Sequence, residues 1–347
     1  MASSLYTLNL NPTVVLRNLL LYPINYSIQG VDVDYSLAEG ESCDLWAVDL
    51  DKTGLEIRLN NYFDKDWVCY KVLKSHVEEL SVWVFESAHT ERTFHLELGM
   101  HSQKVKGSIV MQLYSPFCMV NKTGMLLVYR GDEDNIIHHP VGFNPVLFSF
   151  KAKAFFAKKK ASLKIGDSEW SDKFSLDAVG SSGTVIAKTK DGKTYGIGVQ
   201  IKLSQAGLTK MIIFTPYYLL VNNCKHDLEI QEIGASNQWM KLPKNEELLA
   251  VSSTDSSGNC VPFWPHDTLK AQMIARYSGD EEETKPFSFN EVHSTLLSLQ
   301  SKKGGLMVNC QTADSSVIIT FEDYIPGHAA ALLVNNLENL AISFSQG

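Results

Sequence analysis

One block, repeated about every hundred residues, limits this 347-residue sequence more than any other feature. The block is an extended run, a proline, a short apolar run ending in an asparagine, then another extended run. Its copies are Leu8-Asn9-Leu10-Asn11-Pro12 before Val14-Val15-Leu16-Arg17-Asn18, and Leu113-Tyr114-Ser115-Pro116 before Phe117-Cys118-Met119-Val120-Asn121. A third is Ile213-Phe214-Thr215-Pro216 before Tyr217-Tyr218-Leu219-Leu220-Val221-Asn222, and a fourth is Asp323-Tyr324-Ile325-Pro326 before Ala331-Leu332-Leu333-Val334-Asn335. The asparagines lie 103, 101 and 113 residues apart and the prolines 104, 100 and 110, so one module is reused in series.

Within each module apolar and polar residues alternate, as in Leu55-Glu56-Ile57-Arg58-Leu59 and Val199-Gln200-Ile201-Lys202-Leu203. A period of two, rich in Val, Ile, Tyr and Phe, predicts half-buried strands. Turn clusters such as Asp191-Gly192 and Asp255-Ser256-Ser257-Gly258-Asn259 punctuate the runs, and no helical stripe extends beyond a few turns. The expected fold is all-β: tandem antiparallel β-sandwich repeats of about 100 residues. A terminal strand over 1–11 leads into repeats over 12–115, 116–215 and 216–325. Residues 326–347 begin a fourth, truncated repeat, as in a piece of a longer array.

Composition bounds the function. A net charge of −8, with 44% hydrophobic and 20% charged residues, fits a globular chain and argues against sequence-independent nucleic-acid binding. The six cysteines show neither a CxxC pair nor a histidine at metal spacing, which predicts reduced thiols in a cytoplasmic protein and no metal. No run reaches the ~18 apolar residues of a membrane span, and the first ten residues lack the order of a signal peptide. The sequons at Asn25 and Asn121 matter only in a secreted protein.

Asparagine suits the repeated position because its short amide bonds the backbone at sharp turns. Asn18, Asn121, Asn222 and Asn335 are the candidate site residues, expected to staple a core turn rather than touch a ligand. The prolines ahead of them suit strand edges or linkers, since proline cannot donate to a ladder.

Two stretches carry a resemblance: Tyr114 to Leu127, containing Asn121-Lys122-Thr123-Gly124, and Trp170 to Gly180, containing Trp170-Ser171-Asp172-Lys173-Phe174. They resemble the vacuolar-protein-sorting-thirteen (chorein) family of bridge-like lipid transfer proteins, and within it the adaptor-binding domain of six β-rich repeats, each marked by an asparagine. Val261-Pro262-Phe263-Trp264-Pro265 and the run from Val317 to Tyr324 are similar to the third repeat of animal members. The similarity covers nearly the whole chain, and by it the four asparagines match the repeat asparagines, with Asn335 departing by its longer spacing. The resemblance implies a non-enzymatic module without cofactor. Such a module docks adaptor proteins through short Pro-x-Pro segments and so associates indirectly with organelle membranes at contact sites. In the family the best-described peptide site lies in the last repeats, outside this sequence. An architectural spacer with no ligand of its own is the alternative.

Other signals point to structure. Lys151-Ala152-Lys153-Ala154-Phe155-Phe156-Ala157-Lys158-Lys159-Lys160 is expected to be an edge strand guarded by lysines, and Asp280-Glu281-Glu282-Glu283 a hairpin loop. His138-His139 is expected to be a loop pair, and Trp170, Trp239 and Trp264 to pack in cores. Neither a nucleophile elbow nor a phosphate loop is present, so no catalytic residue is expected.

Overall fold

The computed structural model describes residues 10–89, 92–131, 136–142, 144–150, 159–234, 238–244, 260–266, 268–299, 301–325, 335–337 and 340–343. Among these residues the chain is all-β. The first copy forms β1 (Val14–Asn18), β2 (Ile24–Ile28), β3 (Asp34–Leu37), β4 (Ser42–Leu45), β5 (Gly54–Leu59), β6 (Trp67–Val72), β7 (Leu80–His89), β8 (Arg92–Val105) and β9 (Ser108–Tyr114). The second forms β10 (Phe117–Asn121), β11 (Leu127–Arg130), β12 (Ile136–His139), β13 (Val146–Phe148), β14 (Lys160–Ile165), β15 (Phe174–Ser175), β16 (Ser182–Lys188), β17 (Thr194–Leu203) and β18 (Lys210–Pro216). The third forms β19 (Tyr218–Asn222), β20 (Leu228–Glu232), β21 (Met240–Leu242), β22 (Cys260–Phe263), β23 (Gln272–Tyr277), β24 (Phe287–Ser288), β25 (His293–Leu297), β26 (Leu306–Ala313) and β27 (Ser316–Asp323).

Among the described residues each copy thus contributes nine strands, and the nine follow the same order three times. In the first copy they make one sheet in the order β3-β2-β5-β6-β7-β8-β9-β1-β4. The later copies keep that order but break it between the sixth and seventh strands, giving β12-β11-β14-β15 with β13-β10-β18-β17-β16, and β21-β20-β23-β24 with β22-β19-β27-β26-β25. Strand length explains the break. β6 has six residues and meets β7 through the single pair Val68↔Glu86, whereas β15 and β24 have two residues each and end before a seventh strand.

The sandwiches are antiparallel except at one joint per copy. β1 runs parallel to β9, β10 to β18 and β19 to β27, each over five residue pairs. The first strand of every copy is therefore flanked by the ninth and fourth strands of the same copy. After the fourth repeat asparagine, Leu340, Ala341 and Ile342 are exposed and belong to no strand.

By packing, the chain divides into two compact units, Met1–Gly183 with Val199–Phe214, and Thr184–Gly198 with Thr215–Gly347. The first unit has a core around Leu16, Tyr26, Ile57, Phe85 and Leu98. Here the second copy is tied to the first: the Tyr22 hydroxyl donates to Pro145 O at 2.8 Å, and Leu147 N–H donates to the Tyr62 hydroxyl at 2.9 Å. The second unit has a core around Leu220, Ile230, Tyr277, Phe289 and Phe321.

Two local expectations change. His138 and His139 lie in strand β12 rather than a loop, because alternation buries His139 against Tyr129, whose hydroxyl is 2.9 Å from Nδ1. Trp170, Trp239 and Trp264 are half-buried rather than packed in cores. Trp170 lies under the Arg130 guanidinium, 4.2 Å from its ring centroid, a surface arrangement in which the indole shields a cation. Residues 151–158 of the lysine run fall outside the described residues, and Lys160 opens β14, an inner strand. Residues 280–283 do form the connection between the antiparallel strands β23 and β24.

Candidate functional site

Asn18, Asn121 and Asn222 each end the first strand of their copy, and the amide reaches two places at once. Asn18 Nδ2 donates to Tyr22 O at 2.8 Å and Leu37 O at 3.1 Å, while its Oδ1 accepts from Leu20 N–H at 3.0 Å. Asn222 repeats this with His226 O (3.0 Å), Leu242 O (3.0 Å) and Cys224 N–H (2.9 Å). Asn121 does so with Met125 O (2.8 Å), His139 O (3.5 Å) and Thr123 N–H (3.0 Å). Leu37, His139 and Leu242 are the last residues of the third strands. In the second and third copies the first and third strands belong to different sheets, so one side chain joins the two layers.

The chemistry selects asparagine. Two N–H donors and one carbonyl acceptor on a short arm are needed; aspartate cannot donate and serine carries a single hydrogen. Asn18 and Asn222 are fully buried, which keeps their amides from touching anything outside the fold. Asn335 is exposed and makes the turn half of the pattern, donating to Leu340 O at 2.8 Å and accepting from Leu337 N–H at 2.9 Å.

A candidate binding surface lies in the second unit. β21 ends the four-stranded sheet and β22 ends the five-stranded sheet, and a groove of about 320 Å³ is lined by residues from both. Trp239 and Trp264 stand in it with Met240, Pro262 and Phe263. Both indoles are held in place. The Arg276 guanidinium lies 4.0 Å from the Trp239 ring centroid and is itself fixed by Glu229, with Nη2 to Oε2 at 2.7 Å. Trp264 meets Tyr195 edge-on at 5.3 Å, and Lys193 covers the Tyr195 ring at 4.7 Å. The buried carboxylate of Glu232 at the groove accepts from His266 N–H at 2.8 Å. Neither indole N–H has a hydrogen-bond acceptor among the described residues, unlike that of Trp67, which donates to Tyr62 O at 2.8 Å. Rigid aromatic walls, an unpaired donor on each and a proline beside them can hold an extended apolar segment and bond its carbonyls.

The whole-chain match is to the family model of the Vacuolar-sorting associated protein 13 adaptor binding domain, which spans residues 3–346. This chain belongs to that family. Among relatives, it is 36% identical over 333 residues to the human intermembrane lipid transfer protein VPS13C, a match covering 95% of this chain and 9% of the relative. It is 32% identical over 343 residues to mouse VPS13A, covering 98% and 10%. Human VPS13D is 24% identical over 354 residues, covering 92% and 8%. The chain spans about a tenth of the length of these VPS13 proteins.

The repeat asparagines are legible in the sequence, but the groove is not. Its one signal was Trp264 between Pro262 and Pro265, a segment that cannot pair fully as an inner strand and so falls at an edge.

Proposed function

We propose that this chain docks adaptor proteins by taking short proline-containing segments, and that the longer lipid-transfer protein to which such a domain belongs is directed in this way to organelle membranes and their contact sites. The observation that supports this reading is the pair of fixed, half-buried indoles, Trp239 and Trp264, at adjoining sheet edges in an adaptor-binding-domain chain. A Pro-x-Pro segment is already extended in polyproline II form, so it loses little freedom on entering an aromatic groove. Its carbonyls are the acceptors that the two indole N–H groups lack. In this reading the repeat asparagines are staples that set the groove's walls, the modules divide at 12, 116, 216 and 326, and no catalytic step takes place.

Titration of labelled Pro-x-Pro peptides tests it. Saturable binding that Trp239→Ala and Trp264→Ala each weaken at least tenfold supports the site. Binding unchanged in both variants would place docking elsewhere. The second reading, a spacer that sets distance between flanking parts, draws on the thrice-repeated staple geometry and predicts no saturable binding of any such peptide.

A further inference from the structure

A second surface, in the first unit, has a different chemistry. On the outer face of β7, β8 and β9 a groove of about 90 Å³ is lined by Val82, Glu97, Tyr114, Phe117, Phe150 and Lys159 among others. Its walls are aromatic: Phe117 and Phe150 meet edge-on at 5.5 Å, and Tyr114 lies flat on Gly99, where a Cβ would come within 2.3 Å of the ring. Glu97 brings the exceptional atom. Its Oε2 is buried and has no hydrogen-bond partner among the described residues, an arrangement that costs the fold stability until a donor arrives. Lys159, at the same groove, holds its ammonium 5.2 Å from the Phe150 ring centroid.

The backbone beside this groove is also unfinished. β7 pairs with β8 along its whole length, yet meets β6 only through Val68↔Glu86. β6 is the neighbour of β7 on the side away from β8, but none of Leu80 to Phe85 is paired with it or with any other strand on that side among the described residues. Leu80, at the start of this open edge, is 48% exposed. An added strand would lie about 4.8 Å from β7 and point every second side chain over the groove. Val84 is the β7 residue opposite Glu97, so the added residue in that row would stand two strands, about 10 Å, from Glu97. A long basic side chain and the glutamate together cover that span.

We propose that the open edge of β7 takes an extended segment of a partner protein, whose arginine or lysine, flanked by apolar residues at alternate positions, places its cation on Glu97. The partner is specified by that pattern and not by proline, so this surface is independent of the tryptophan groove. A fluorescein-labelled Val-Thr-Val-Thr-Arg-Thr-Val-Thr-Val peptide is the probe, read by anisotropy and by amide hydrogen exchange on the whole chain. The expected results are saturable binding, slowed exchange confined to Leu80–Phe85, and at least a tenfold loss when glutamine replaces the peptide's arginine or when Glu97→Gln is introduced. Glu97→Lys is expected to reverse the preference, binding a glutamate-centred peptide better than the arginine one. Equal affinity for the arginine and glutamine peptides, protection elsewhere, or no saturable binding overturns the proposal. So does protection of Leu80–Phe85 that rises with protein concentration alone, which would make a second copy of the chain the occupant.

Discussion

A Cβ on Gly198 would lie 2.3 Å from the carbonyl oxygen of Ser315, so the absence of a side chain on β17 is what lets the turn between β26 and β27 approach. Thr215 and Ser316 close the same contact, their hydroxyls 3.2 Å apart. Gly198→Ala must push backbone away from backbone and is expected to destabilise the chain by about 1–3 kcal/mol. Gly183→Ala, where nothing lies within 4 Å of the new methyl, is expected to change stability by less than about 0.5 kcal/mol. Denaturant midpoints of the two variants check the contrast.

Removing a staple orphans three backbone groups. Asn18→Ala and Asn222→Ala are each expected to cost about 2–4 kcal/mol, since two carbonyls and an N–H lose their partners inside the fold. Asn335→Ala, at an exposed turn, is expected to shift the midpoint by less than about 0.5 kcal/mol. Equal effects at positions 222 and 335 would remove the distinction.

Alkali is expected to weaken the fold through its buried thiols. Burial pushes Cys69 up to about 11 and Cys118 and Cys310 each up to about 12, the charge of Glu39 adding to the effect at Cys118. An unfolded thiol titrates near 8.5. Below that pH both states keep the proton and the contribution to stability is fully present. As pH rises toward 11–12 the unfolded chain alone loses protons, and stability falls by about 1.4 kcal/mol per pH unit for each thiol. Unfolding midpoints at pH 8, 9 and 10 are expected to decline progressively, with the decline reduced in Cys118→Ala once its lower starting stability is subtracted.

Native alkylation is expected to follow exposure. Cys260 is exposed and Cys43 partly so, while Cys69, Cys118, Cys224 and Cys310 are buried. Iodoacetamide under native conditions is expected to mark Cys260 first, and the four buried thiols only with denaturant, as peptide mass mapping would show.

The strands were legible because burial alternates with sequence: Leu55, Ile57 and Leu59 are buried in β5, as the alternation predicts. The asparagine period was legible for the same local reason, since Asn18 to Tyr22 and Asn222 to His226 are contacts within one turn. Their second acceptors, Leu37 and Leu242, lie 19 and 20 residues away and depend on how the first and third strands of a copy come together in space, which no local pattern encodes. The parallel joint between β1 and β9 is hidden likewise, because its partners are 95 residues apart and each strand alternates as any antiparallel strand would. Trp239 and Trp264 misled because large apolar residues are usually core; the arginine that supports one of them, Arg276, comes from a strand more than thirty residues away.

The joint between each copy's first and ninth strands has a mechanical consequence. Because β1 and β9 run in the same direction, as do β19 and β27, a pull applied before the first strand and after the ninth drags the pair past each other along their length. All the hydrogen bonds across the pair then bear tension together, instead of opening one after another from an end. A module linked in this way withstands stretching between anchored points, with rupture requiring the whole row to fail at once.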